Sequence, residues 1–269
     1  MRLTVLGCAG SFPSADAPAS SYLVQEGSAR LVLDLGNGSI SALQRHLDLD
    51  DPTSLTAVVI SHGHLDHCAD LGSLYVVRAY HPRVRFPRLP VFGPRGIAQR
   101  IAAMYGTSVA ALSEVFDFVE LDGSVGADGE PVRIGPFTVR VVAARHPGPA
   151  LCIRVDAVGA SLAYSGDTGP NPDLISLARG VDLALFEASF VGVDGPPDLH
   201  LTATGAGEHA AQAQAAHLLV THLVAWNDDA RVLAEATAAF PGPVQLARPG
   251  LQVDLLADGA WVTSVGGTG

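Results

Sequence analysis

The chain has 269 residues, 48% hydrophobic and 16% charged, with 29 Gly and 18 Pro scattered rather than periodic. This composition excludes a disordered or collagen-like chain, and no apolar run reaches the roughly 18–20 residues of a bilayer span. Its 27 acidic residues outnumber 16 basic ones, all Arg, and the net charge of −11 disfavours a sequence-independent grip on long nucleic acid.

Short β-rich runs come first: Arg2–Leu6, Ser21–Gln25 and Arg30–Leu35, the last closing on the turn signal Gly36-Asn37-Gly38. Ser39–Leu47 has helical spacing, with Ser39 as the expected N-cap. Leu55–Ile60 is a continuous apolar run of strand length, hence a buried strand. Asp66 to Ala79 reads as one helix, Arg88–Phe92 as a strand and Ile97–Met104 as a helix. From Pro131 the strands return at Val132–Ile134, Phe137–Ala143, Ala150–Val155, Ser161–Tyr164 and Leu183–Phe186. Helices are expected at Thr202–Ala216 and Asp228–Ala239, with the strand His217–Thr221 between them and two short strands in the tail. No linker or repeat interrupts this order, so a single domain over residues 1–269 is expected. Two mixed sheets stacked face to face with helices outside would bury the strands on both sides, an α/β class.

Cys8, Cys68 and Cys152 are odd in number and far apart, which fits a reducing compartment rather than a disulfide framework. Leu6-Gly7-Cys8 has a superficial likeness to a lipoprotein cleavage site, but the seven residues before the cysteine are too few for an export signal. A cytoplasmic protein without a membrane segment is expected.

The informative segment is Ser61-His62-Gly63-His64-Leu65-Asp66-His67, directly after the buried strand. Imidazole and carboxylate are the ligands that hold Zn²⁺, Mn²⁺ or Fe²⁺. On extended backbone His62 and His64 point the same way, while Asp66 and His67 diverge around the turn into a helix and can face a second ion. Gly63 is expected to let the backbone curl close to the ions. Three later residues of ligand type also fall at strand ends: His146, Asp167 in Tyr164-Ser165-Gly166-Asp167-Thr168, and His222. Cys68 reads as a buried structural thiol. His46, His81, His209 and His217 read as surface histidines, and Arg145 either meets a substrate phosphate or a surface carboxylate.

The order His-x-His-x-Asp-His, His, Ser-Gly-Asp-Thr, Thr-His resembles the metallo-β-lactamase fold superfamily over nearly the whole chain. Gly36, the stretch Tyr164–Thr168, Glu187-Ala188-Ser189 and His200-Leu201-Thr202-Ala203 make it similar to the ribonuclease Z branch and its small-molecule relatives, the actinobacterial cyclic-nucleotide phosphodiesterases. The resemblance implies an αββα four-layer sandwich holding two divalent metal ions, zinc first, with manganese or iron as alternatives. By motif position His62, His64 and His146 would hold the first ion and Asp66, His67 and His222 the second, with Asp167 bridging. Two such ions can share a hydroxide nucleophile and clamp the oxygens of an in-line displacement. Asp66 would also orient the water's proton. His200 is the candidate general acid, oriented by Glu187; its plainer reading is a histidine in the capping region of the following helix.

His146 and Asp167 are only 21 residues apart. Ribonuclease Z carries its tRNA-gripping arm in this interval, and this chain has no room for one. The expectation is therefore a metal-dependent hydrolase of a small phosphodiester, cyclic AMP or cyclic GMP. The alternatives are hydrolysis of a lactone, thioester or β-lactam, or an arm-less ribonuclease Z-type endonuclease. Relatives of this kind commonly form dimers, so a homodimer is one expectation, and Trp226 is a candidate for an interface or a substrate wall.

Overall fold

The computed structural model describes residues 1–48, 50–123, 129–192, 196, 198–255 and 261–265. Strands β1 (Arg2–Gly7), β2 (Ser21–Glu26) and β3 (Ala29–Leu33) precede α1 (Ser39–Leu43) and β4 (Ala57–Val59). Helices α2 (Leu65–Cys68) and α3 (Leu71–Tyr80) lead into β5 (Leu89–Gly93), α4 (Ile97–Tyr105), α5 (Val109–Ser113) and β6 (Phe116–Glu120). A meander follows: β7 (Val132–Ile134), β8 (Phe137–Ala143), β9 (Leu151–Ala157) and β10 (Ala160–Tyr164). Then α6 (Pro172–Leu177), β11 (Leu183–Glu187), α7 (Ala203–Gln212), β12 (His217–Thr221), α8 (Asp229–Ala239) and β13 (Val244–Leu246) alternate. Strands β14 (Leu251–Leu255) and β15 (Trp261–Val265) come last.

One sheet has the order β15-β14-β1-β2-β3-β4-β5-β6, the other β13-β12-β11-β10-β9-β8-β7. Each is antiparallel in one part and parallel in the other, with the changes at β3 and β10. Strand alternation then dictates the layers. Leu31, Leu33 and Val59 point between the sheets, where they meet Val139, Ile153, Leu162 and Leu185. Val32 and Val58 face outward onto Leu43, Leu71 and Ile101 of the first helical layer. On the far side Ala163, Ala184 and Val220 pack on Leu174, Ala206 and Val232 of α6–α8. Each fully buried Leu or Val stabilises the fold by about 1.5–3 kcal/mol, and these strands bury both faces. The result is two mixed sheets between two layers of helices, the expected αββα class. Among the described residues no helix is long and apolar enough to cross a membrane.

Several expectations are corrected. The helix expected from Asp66 to Ala79 is two helices, because the Leu35 N–H takes the His67 carbonyl at 2.8 Å and the Leu35 carbonyl takes the Asp70 N–H at 3.0 Å. These tertiary bonds replace the helical ladder at the α2–α3 junction. Gly38, at φ 86°, occupies the N-cap of α1 in place of Ser39, whose hydroxyl donates to the Gly36 carbonyl at 2.6 Å. His209 is buried: its Nδ1–H donates to the Gly205 carbonyl and its Nε2 accepts the Asn171 N–H at 3.0 Å, satisfying a buried donor. His46, His81 and His217 are partly covered, with His81 paired to Asp50 at 2.9 Å and His217 packed on Trp261.

Gly36 shows how tightly the β3 end is held to the motif. A Cβ there would overlap the Asp66 backbone carbonyl. Neither backbone can yield without moving α2, so Gly36→Ala is expected to cost about 3 kcal/mol. Thermal denaturation checks the loss, and metal content should fall with it because Asp66 is displaced.

Candidate metal centre

The C-terminal ends of β4, β10 and β12, together with that of the antiparallel β8, deliver the motif residues to one edge of the sandwich. β4 ends at Val59, and the chain is then caught by Asp34, whose carboxylate accepts the Ser61 N–H at 2.6 Å and the Ser61 hydroxyl at 2.7 Å. The Ser61 carbonyl accepts the Leu151 N–H at 2.9 Å, tying this segment to the opposite sheet. His64 then serves as the extended N-cap of α2, which places Asp66 and His67 in its first turn. His222 follows β12 in the left-handed region at φ 54°, a conformation costing a non-glycine residue about 1 kcal/mol or more, and so turns back over the site.

Three groups of donor atoms result: His62/His64/His146/Asp167 and Asp66/His67/Asp167/His222, which share Asp167, and Glu187/His200/His222, which shares His222 with the second. In the second, His67 Nε2 lies 3.3 Å from Asp66 Oδ2 and 3.2 Å from Asp167 Oδ1, and His222 Nε2 lies 3.1 and 3.3 Å from the same two oxygens. A tetrahedron whose corners stand about 2.0–2.1 Å from a central Zn²⁺ has edges of about 3.3–3.4 Å. His67 Nε2 and Asp167 Oδ1 are buried and have no hydrogen-bond partner. Two orphaned donors at this spacing fit a divalent cation. The first group is wider: His64 Nδ1 is 3.0 Å from His62 Nε2 and 3.2 Å from His146 Nε2, while Asp167 Oδ2 is 3.6 and 4.0 Å from those two Nε2 atoms.

Four of the five imidazoles are anchored through the nitrogen turned away from the centre, which fixes ring orientation and leaves the other lone pair free. His62 Nδ1 is 3.1 Å from the Ser61 hydroxyl, and His146 Nδ1 donates to the Leu199 carbonyl at 2.9 Å. His67 Nδ1 donates to Asp34 Oδ2 at 2.7 Å, and His222 Nδ1 is 2.7 Å from the Ser189 hydroxyl.

Electrostatics point the same way. Burial, then the neighbouring imidazole of His67, holds His62 well below its ordinary pKa, so it is the neutral, ligating form. Burial would raise Asp167, but the His222 and His67 charges outweigh it and keep this carboxyl well below the usual range. Burial would lower His67, yet Asp167 and Asp34 push it well above its ordinary value. The carboxylates thus draw positive charge into the pocket, which a divalent ion supplies in place of protons. Cys68 is raised to about 12 by burial and its Sγ–H donates to the His64 carbonyl, so it remains a structural thiol as expected.

His200 Nδ1 sits 2.9 Å from Glu187 Oε1 and 4.0 Å from Asp167 Oδ2. Buried Glu187 also accepts the Thr168 N–H at 2.7 Å and the Ser189 hydroxyl at 2.7 Å, while Ser189 meets His222. The pair expected to act on the leaving group is therefore joined to the metal-type cluster. Trp226 is 74% exposed, and its ring packs 5.4 Å from that of Phe12. Gly63 lies outside the left-handed region, and a Cβ there would stand 3.2 Å from Arg100 Cγ.

Asp34 escaped the sequence reading, and so did the bond to it from Tyr164, a residue read there only as the end of a strand and part of the Tyr164–Thr168 stretch. Asp34 is fully buried at φ 56° and accepts from Ser61, His67 and the Tyr164 hydroxyl, the last at 2.7 Å. The one signal was an acidic residue closing the apolar run Leu31-Val32-Leu33.

An αββα sandwich with two histidine/aspartate pockets at its strand ends defines a metal-dependent hydrolase of the metallo-β-lactamase fold. A sequence model of the beta-lactamase superfamily domain matches residues 30–223, and the chain belongs to that superfamily. It is 44% identical to an uncharacterized protein of Mycobacterium tuberculosis, over 91% of this chain and 88% of the relative. It is 30% identical to the probable metallo-hydrolase YhfI of Bacillus subtilis, over 93% and 98%. The crystal structure of YhfI, a metallo-beta-lactamase fold protein, superposes with a TM-score of 0.81 at 26% identity, covering 93% of this chain and 98% of that one. Ribonuclease Z of Mycobacterium marinum is 29% identical over 91% of this chain and 95% of its own.

Proposed function

We propose that the protein hydrolyses small phosphodiesters at a two-cation centre, with cyclic AMP or cyclic GMP as the substrate class. His62, His64 and His146 would hold one cation and Asp66, His67 and His222 the other, with Asp167 available to both. The observation that carries the reading is the Glu187–His200 pair standing 4.0 Å from the shared Asp167, because it adds a proton donor to a metal site. When bound, divalent cations, zinc first and manganese or iron as alternatives, activate a water near neutrality and neutralise phosphate oxygens.

The side chains supply the rest. Asp66 orients the proton of the attacking water. Glu187 fixes His200 through Nδ1, which leaves Nε2 to protonate the departing alkoxide, a poor leaving group without that proton. The stretch from His146 to Asp167 is taken up by β9, β10 and tight turns, which supports a small substrate over a folded RNA. A cytoplasmic location goes with this reading, since Cys8, Cys68 and Cys152 are free and buried.

The test is a substrate panel on zinc- and manganese-loaded protein. Cyclic AMP, cyclic GMP and bis(p-nitrophenyl) phosphate should be turned over, with activity lost to a chelator and restored by metal. Turnover of a lactone, thioester or β-lactam without phosphodiester hydrolysis would replace the reading with acyl hydrolysis.

A further inference from the structure

A cavity of about 360 Å³ opens beside His62 and His64, and the chemistry above makes no use of it. Its lining includes Pro94 and Arg95 just after β5, Ile97 and Arg100 of α4, and Pro147 and Pro149 just after His146. This volume lies in the range of small-molecule sites. Because two proposed cation ligands line it, a group entering it belongs to the molecule held at the centre.

The two arginines set what that group is. Arg100 donates its Nε–H to the Gly63 carbonyl at 2.8 Å, which holds the guanidinium over the His62-Gly63-His64 turn. Its terminal amino groups have no partner among the described residues, and the Arg95 side chain has none at all among them. Glu120, the carboxylate of the neighbouring β6, spends Oε1 on the Gly96 N–H at 3.1 Å. A guanidinium carries only donors, and the proline and isoleucine walls carry no side-chain acceptors. Both side chains are exposed, and two guanidiniums with free N–H donors lining one cavity, neither ion-paired among the described residues, favour an occupant rich in acceptors and negative charge.

We infer that Arg95 and Arg100 form a subsite for a second phosphate, which widens the substrate class from cyclic AMP and cyclic GMP, with one phosphate each, to small phosphodiesters carrying a further phosphate beyond the one that is cleaved. The inference rests on the phosphodiester reading of the centre. It ranks nucleotides that carry a further phosphate above those with one. Arg100 also holds the Gly63 turn, but that structural contact does not distinguish ligands by charge, so selectivity separates the two roles.

Calorimetric titration of zinc-loaded protein at low ionic strength, with adenosine 3′,5′-bisphosphate and adenosine 5′-monophosphate as probes, tests this directly. Wild-type protein should bind the bisphosphate about tenfold more tightly or better, as charge-assisted hydrogen bonds imply. In the Arg95→Gln/Arg100→Gln double variant, brought to full zinc loading, the preference should shrink to about twofold or less. Arg95→Gln alone, which touches no proposed ligand, should already lower it. Equal binding of the two probes by wild type, or an undiminished preference in the double variant, would overturn the subsite. Should Arg100→Gln lose zinc and weaken both probes equally while Arg95→Gln changes nothing, Arg100 is a positioning residue and the subsite is likewise overturned. Binding of neither nucleotide by zinc-loaded wild type would instead sink the phosphodiester reading, and the subsite with it.

Discussion

Asp34→Ala is expected to lower stability by about 3–5 kcal/mol and to empty the site of metal, the largest loss from any single change outside the proposed ligands. The Asp34 carboxylate is fully buried and accepts from the Ser61 N–H, the Ser61 hydroxyl, His67 Nδ1 and the Tyr164 hydroxyl, at 2.6–2.7 Å each. Alanine leaves all of these donors without an acceptor in a dry interior, and the cost is that of unpaired buried groups rather than of one hydrogen bond. It also frees the His67 ring, whose Nε2 is one of the two orphaned donors at the centre. Asp34→Asn separates the two effects. The amide keeps shape and one acceptor but turns an N–H₂ toward donors, so the fold should survive while metal affinity falls by about 10–100-fold. Thermal denaturation with and without chelator, together with metal content, reads both variants. Wild-type metal content in Asp34→Asn would show that His67 needs no such anchor.

Asp34 also marks where sequence stopped being informative. Residues 62–67 were legible because four ligand-type side chains crowd one strand end, and His146, Asp167 and His222 gained weight from that cluster. The structure brings all seven into two donor groups. The sheets were legible too, since doubly buried strands such as β11 are apolar from Leu183 to Phe186. What failed depended on partners distant in sequence. Asp34 pairs with Tyr164, 130 positions away, and the α2–α3 break comes from Leu35 bonds that no periodicity records. His209 looks like one more polar residue on an Ala-rich helix until the Asn171 N–H needs an acceptor. The short α5 and α6 and the partly exposed β6 carry too few periodic residues to stand out, although Asn171-Pro172 is a cap signal in hindsight.

His200→Ala is expected to slow cyclic AMP hydrolysis by about 10²–10⁴-fold, the usual contribution of a positioned general acid. On bis(p-nitrophenyl) phosphate the loss should stay below about tenfold, because nitrophenolate departs as a stable anion and needs no proton. The contrast isolates the leaving-group step: an effect on metal binding or on the attacking water would slow both substrates alike. Glu187→Gln should follow the same pattern more weakly in one respect and more broadly in another. An amide can still accept from His200 Nδ1, which stands 2.9 Å from Oε1, but it stabilises the imidazolium less. It also disturbs Ser189, whose hydroxyl lies 2.7 Å from both Glu187 Oε2 and His222 Nδ1. A modest fall in metal content is therefore expected for Glu187→Gln and none for His200→Ala. Steady-state rates on both substrates, paired with metal analysis of each variant, decide the matter. If His200→Ala slows the nitrophenyl ester as much as cyclic AMP, His200 serves the cation centre rather than the leaving group.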